Sequence, residues 1–186
     1  MHKPVIVQSD HTLLLEVDNP EFEKARDSLS PFAELEKSPE HIHTYRITPL
    51  SLWNAAAAGL SDRDILDVLQ IYSRYDIPET VITIINEQME RYGLLKLYRD
   101  EDGLHIYSPD SLLINELIHQ KKVQQYLDHR IDDNRVRIRT GYRGHVKQSL
   151  IKIGFPVEDL AGYENGDPLN LTLRQQNKNH QNFTIR

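Results

Sequence analysis

Between residues 48 and 93 apolar side chains recur every three or four positions, whereas across 95–106 and 135–139 they recur at every second position. A chain whose apolar period switches from 3.6 to 2 must build both helices and strands, each turning one face inward. The expected class is therefore α+β. Thr48-Pro49 opens one helix, which runs through Leu52, Trp53 and Ala55 to Ala58, with Gly59 as its C-cap. Ser61-Asp62-Arg63-Asp64 is a variant capping box, and Ile65, Val68, Leu69 and Tyr72 follow at i, i+3, i+4 and i+7. Ile77-Pro78 breaks that helix; a third starts at Glu79, burying Val81, Ile82, Ile85 and Met89 and ending near Gly93. Leu95 and Leu97, then Leu104 and Ile106, alternate on either side of the turn Asp100-Glu101-Asp102-Gly103. Helices followed by such a ribbon suggest a winged-helix-like unit. Trp53, beside Ala55 to Ala58, is expected in the core, where small residues let a neighbouring helix approach.

The flanking segments are read the same way. Val5 to Gln8 and Thr12 to Val17 form an N-terminal β-hairpin. Asn19-Pro20 opens a helix whose stripe is Phe22, Ala25, Arg26 and Leu29, then Phe32, Ala33 and Leu35, interrupted near Pro31, and His43 to Ile47 is a short strand. Ser108-Pro109 starts a helix carrying Leu112, Leu113, Leu117 and Ile118. Gly141 to Gly144 leads into another, with Val146, Leu150 and Ile153, stopped by Gly154 and Pro156. Leu169 to Leu173 is a further strand, and the polar run after Gln175 is a linker.

Charge divides the chain more sharply than pattern does. The 186 residues carry a formal charge of −6, but residues 1–120 hold 10 basic and 21 acidic side chains, and residues 121–152 hold 9 basic and 3 acidic. The expected organisation is an acidic winged-helix-like interaction domain over 1–120, a small basic mixed α/β domain over 121–175, and a linker over 176–186. The outward positions of the third helix include Glu79, Glu87 and Glu90, and the ribbon tip adds Asp100, Glu101 and Asp102. Phosphate repels such a surface. Glu79, Glu87 and Glu90 are therefore candidates for a protein partner, and a solvated face with no partner is the bland alternative.

The basic stretch reads differently. Arg135, Arg137 and Arg139 fall on one side of a strand, with Val136 and Ile138 turned to the core. Arg143, His145, Lys147 and Lys152 continue the positive field, Tyr142 offers a ring to a base, and the helix starting near Gly144 offers backbone N–H groups to a phosphate. These eight residues are the candidate DNA-binding set. The alternative is a basic strand that is solvated or docks on the acidic half of the same molecule.

Other chemistries find little support. There is no cysteine, hence no disulfide, thiolate metal site or thiol nucleophile. No apolar run reaches the length of a membrane span, and no signal peptide precedes the first strand, so a cytoplasmic protein without membrane contact is expected. The Gly-x-x-x-x-Gly-Lys-Ser/Thr loop, Gly-x-Gly-x-x-Gly, Gly-x-Ser-x-Gly and His-Glu-x-x-His are all missing. His41 and His43 share a strand face as a conceivable metal pair, with no third ligand at a recognisable spacing. No catalytic residue, metal ligand or cofactor is assigned to the chain.

Three runs carry a resemblance. Val5 to Asp10 with Leu13 to Val17, His41 to Leu60, and Tyr142 to Tyr163 resemble the region preceding the motor of XPB-type DNA helicases, the bacterial branch more than the eukaryotic. The resemblance implies a superfamily 2, ATP-dependent, 3′→5′ helicase or translocase of DNA repair and transcription. This chain would be its non-catalytic N-terminal region, which binds DNA and positions or regulates the motor. ATP and magnesium would belong to the motor domains, with a Tyr-Gln pair following Phe183 to Arg186. The resemblance further implies a partner-docking part near 1–120 and a damage-recognition part over about 121–175. A pure protein-interaction module without DNA contact is the alternative.

Overall fold

The computed structural model describes residues 2–162. It is α+β, with two sheets and helices against each. In the first unit, β1 (Val5–Val7) and β2 (Thr12–Glu16) form the expected hairpin, followed by α1 (Phe22–Leu29), β3 (Glu34–Lys37) and β4 (Ile42–Arg46). The strand order is β1-β2-β4-β3, all antiparallel. The stripe breaks near Pro31 as expected, but no helix resumes beyond it. α1 ends at Leu29, before Pro31, which has no N–H to continue the ladder. Phe32 and Ala33 still enter the core, but Leu35 lies on β3 and is exposed.

Helices α2 (Pro49–Ala57), α3 (Asp62–Tyr72) and α4 (Glu79–Arg91) follow. Thr48 caps α2 and Ser61 caps α3, each exchanging hydrogen bonds with the third helical residue, Ser51 or Asp64. Gly59 takes φ +95° after α2, a left-handed cap that a side chain would strain. The helices join the hairpin through Val5, which bridges to Ser73 and accepts the Arg74 N–H, and through the Arg74 guanidinium, which reaches Glu16 at 2.7 Å. Leu13, Leu15, Leu29, Phe32, Leu52, Ile65, Leu69 and Ile85 fill this core.

The second unit contains β5 (Leu95–Asp100), β6 (Gly103–Tyr107), α5 (Ser111–His119), α6 (Lys121–Gln124), β7 (Leu127–Asp132), β8 (Arg135–Ile138), α7 (Arg143–Lys152) and β9 (Val157–Asp159). The order is β7-β8-β6-β5-β9, antiparallel except for β9 beside β5. Helices α5, α6 and α7 supply Ile114, Leu117, Val123, Val146 and Leu150 to a core with Leu95, Leu97, Ile106, Val136 and Ile138.

The division between units thus falls near Gly93, not near residue 120. The ribbon β5–β6, expected as the wing of the first unit, lies inside the second sheet because Leu95, Leu97 and Ile106 share a core with β8 and α7. Strands β7 and β9 carry no apolar alternation and were not expected: β7 is a mostly exposed edge and β9 has three residues. The strand expected at 169–173 and the linker expected at 176–186 lie outside the described residues.

The units meet along one seam. Arg91, at the end of α4, donates to the Gly154 carbonyl at 3.3 Å and lies over the Phe155 ring. Gly93 has φ +89°, and a Cβ there would meet Glu158 at 3.3 Å. Trp53 is buried as expected, yet it lines a cleft of about 400 Å³ on this seam with Tyr92, Ile151 and Asp159, its Nε1 lacking a hydrogen-bond partner.

Candidate nucleic-acid interface

The three arginines of the basic strand have different fates. Alternation on β8 holds: Val136 and Ile138 are buried, and Arg135 and Arg137 point the other way, opposite Tyr107 and His105 of β6. Arg137, however, is only 8 % exposed, and its guanidinium grips Asp100 with two bonds of 2.6 and 3.1 Å. This bidentate pair holds the Asp100 carboxyl at about 2, well below the ordinary carboxylate value. His105 Nδ1 lies 3.1 Å from the same carboxylate yet off the hydrogen-bonding direction, and burial pushes the imidazole toward its neutral form. Arg135 bonds Asp132 at 2.7 Å across the β7–β8 turn. The acidic ribbon tip and the basic strand therefore neutralise one another in part inside the second unit.

Arg143 and Lys147 are committed in a similar way. On successive turns of α7 they converge on Asp159 of β9, at 2.7 and 2.8 Å, and Arg143 also reaches the Gly162 carbonyl. The half-buried carboxylate stays ionised because two cations oppose the cost of its burial. This cluster pins β9 to α7. Arg137, Arg143 and Lys147, expected to touch phosphates, are thus held by carboxylates.

The remaining four candidates are exposed. Arg139 lies just beyond β8; its backbone N–H bonds the Tyr126 carbonyl at 2.9 Å and its Nε bonds the Leu127 carbonyl at 2.9 Å. Tyr142, 40 % exposed, stands at the N-terminus of α7, and His145 lies one turn on. With Tyr126 they form a cluster of three rings whose centroids are 5.4–5.5 Å apart. Neither Arg139 nor Lys152 has a carboxylate partner among the described residues. No side chain caps the N-terminus of α7, and Gly141 and Gly144 face open space. Sequence reasoning named Arg139, Tyr142 and His145 but missed Tyr126. Its only signal was an aromatic residue after Lys121-Lys122, and the α6–β7 turn that brings it to Tyr142 has no motif of its own.

Glu79, Glu87 and Glu90 are exposed on α4. Glu79 and Glu87 line a shallow groove with Thr83, Ile84 and Gln88, closed by His11 of the β1–β2 turn. The two histidines do not converge: His41 bonds Asp18 at 2.9 Å, and His43 packs edge-on against Phe22. Among the described residues no three metal-ligating side chains cluster, and no helix is long and apolar enough to cross a membrane.

The exposed rings and the cations without carboxylate partners thus lie on the second unit, around α7. Comparison with known proteins places the chain in a family. Residues 5–132 match the family described as helicase conserved C-terminal domain. The chain is similar to a "DNA 3'-5' helicase XPB" of Mycobacterium tuberculosis, at 48 % identity over 93 % of this chain and 32 % of that protein. It is similar to the protein of the same name from Kineococcus radiotolerans, at 47 % over 88 % of this chain and 30 % of that protein. It is also similar to the "General transcription and DNA repair factor IIH helicase/translocase subunit XPB" of Drosophila melanogaster, at 31 % over 67 % and 16 %. The chain belongs to the XPB-type helicase family, and spans about a third of the length of its bacterial relatives.

Proposed function

We propose that this chain is the non-catalytic N-terminal region of an XPB-type DNA helicase, and that it contacts DNA along α7, from Arg139, Tyr142 and His145 at its N-terminal end to Lys152 at its C-terminal end. One observation carries the reading: of the eight candidate DNA-binding residues, these four lie exposed and unengaged by carboxylates among the described residues. Arg135 lies on the same unit as a weaker contributor, being tied to Asp132. Arg137, Arg143 and Lys147 organise the scaffold. The missing phosphate-binding loop supports placing catalysis elsewhere in the parent protein, whose motor would take ATP and magnesium. Helices α2 to α4 together with the ribbon β5–β6, which pairs into the second sheet, are read as winged-helix-like, and the Glu79, Glu87 and Glu90 face of α4 is where a protein partner would dock.

The test is DNA binding across a salt series. Replacing Arg139 and Lys152 by Ala should weaken duplex binding and reduce the log–log salt slope by about 0.9 for each phosphate no longer neutralised. An unchanged slope removes the site assignment. A second reading, a protein-interaction module without DNA contact, draws support from the groove on α4 and predicts no binding to any DNA at low salt.

A further inference from the structure

Resting on the DNA reading above, we propose that the seam between α6 and α7 is a track for single-stranded DNA. Its ring cluster holds an unpaired base at one end, and Lys121 and Lys122 take phosphates at the other. The two helices place these groups. Tyr126, just after α6, meets Tyr142 and His145 at the N-terminal end of α7. At the opposite end Lys121 and Lys122 share a groove of about 530 Å³ with Ile153, just past the last turn of α7. Helix α7 has 10 residues, so the track is about 15 Å long at 1.5 Å per residue.

The ring cluster decides the strand state. Tyr126 faces the second core, but Tyr142 leaves two-fifths of its surface to solvent, and His145 is exposed too. Rings grouped at the surface lose packing that a core would supply, and what they offer is a π-face on which a base stacks. In a duplex each base face is covered by its neighbours, so this offer is useful only to an unpaired base. Charge suits the same guest. Lys121, Lys122, Arg139 and Lys152 lack carboxylate partners among the described residues; Glu116 is the acid lining the far groove. Arg139, pinned to the backbone at Tyr126 and Leu127, sets a cation beside the rings where the next phosphate would pass.

The probes are a fluorescein-labelled oligothymidine and a duplex of equal length, titrated by anisotropy with the full 186-residue chain. Tyr142→Ala should weaken oligothymidine binding by about tenfold, the size of one lost base stack, and weaken duplex binding, which offers no unpaired base to the ring, by a smaller factor. Tyr142→Phe keeps the ring and should retain wild-type affinity, which separates stacking from misfolding. Lys121→Gln with Lys122→Gln should lower the single-strand salt slope by about 0.7 for each phosphate no longer neutralised. Equal losses on both probes for Tyr142→Ala would overturn the track and leave general DNA contact standing. No binding of either probe by the unaltered chain at low salt would overturn both.

Discussion

Asp100 shows how one residue can redirect the reading of a surface. As a ribbon tip it looked like part of an acidic face; in the structure it is the counter-ion that takes Arg137 out of the positive field. Its depressed carboxyl stabilises the fold fully above the ordinary carboxylate value, and that stabilisation is lost as pH falls from about 4 toward 2. His105 acts in the same direction at higher pH. Burial disfavours its charged form in the folded state, so stability declines as pH drops below its ordinary value, near 6.5. Acid titration followed by circular dichroism should therefore show a loss in two stages, and Asp100→Asn should shrink the lower one, to which Asp159, held by Arg143 and Lys147, also contributes. Which arginines would be buried was not legible in the sequence, because alternation assigns a face but does not name the partner waiting across the sheet. The exposed Arg139, one residue past β8, shares the same alternation and has the opposite fate.

Elements were legible where local chemistry alone specifies them. The Thr48-Pro49 start of α2, the capping box at Ser61 and the 3.6-residue stripe of α3 were readable because each rests on residues only a few positions apart. Removing the α3 cap with Ser61→Ala should cost about 1 kcal/mol in a denaturant melt. β7 and β9 were not legible. β7 pairs through irregular registers at an edge, and β9 is held to β5 by parallel pairing and to α7 by Asp159. Asp159→Ala would leave Arg143 and Lys147 crowded without their carboxylate, and is expected to free β9 and raise amide hydrogen exchange in β5 and α7. Exchange unchanged from that of the unaltered chain would show that β9 is held by its backbone alone. The early end of α1 follows from Pro31, whereas the strand pairing of Leu35 depends on β4 and cannot be seen locally.

For the whole molecule, the charge split was visible from the start, and the structure changes its meaning. The expected boundary near residue 120 followed charge, but cores follow apolar packing, and the two cores separate at Gly93. The basic segment therefore shares a sheet with β5–β6, whose tip is acidic, and Lys121, Lys122, Arg139 and Lys152 are its cations without a carboxylate partner among the described residues. Two cores joined by the Arg91 seam predict two partly independent cooperative units. Ile85→Ala should destabilise the first by about 2–5 kcal/mol and Leu97→Ala the second by a similar amount, with each loss reported by exchange mainly in its own unit. A uniform loss across residues 2–162 would instead indicate a single cooperative fold.

The central claim, that an acidic chain touches DNA through the α7 face of its second unit, is tested most directly by titrating the unaltered chain with duplex, single-stranded and forked DNA at about 50 and 200 mM salt. The account predicts measurable binding at the lower salt, tightest where unpaired bases are available, and marked weakening at the higher. Absence of binding to all three at the lower salt, or binding that ignores salt, would contradict it.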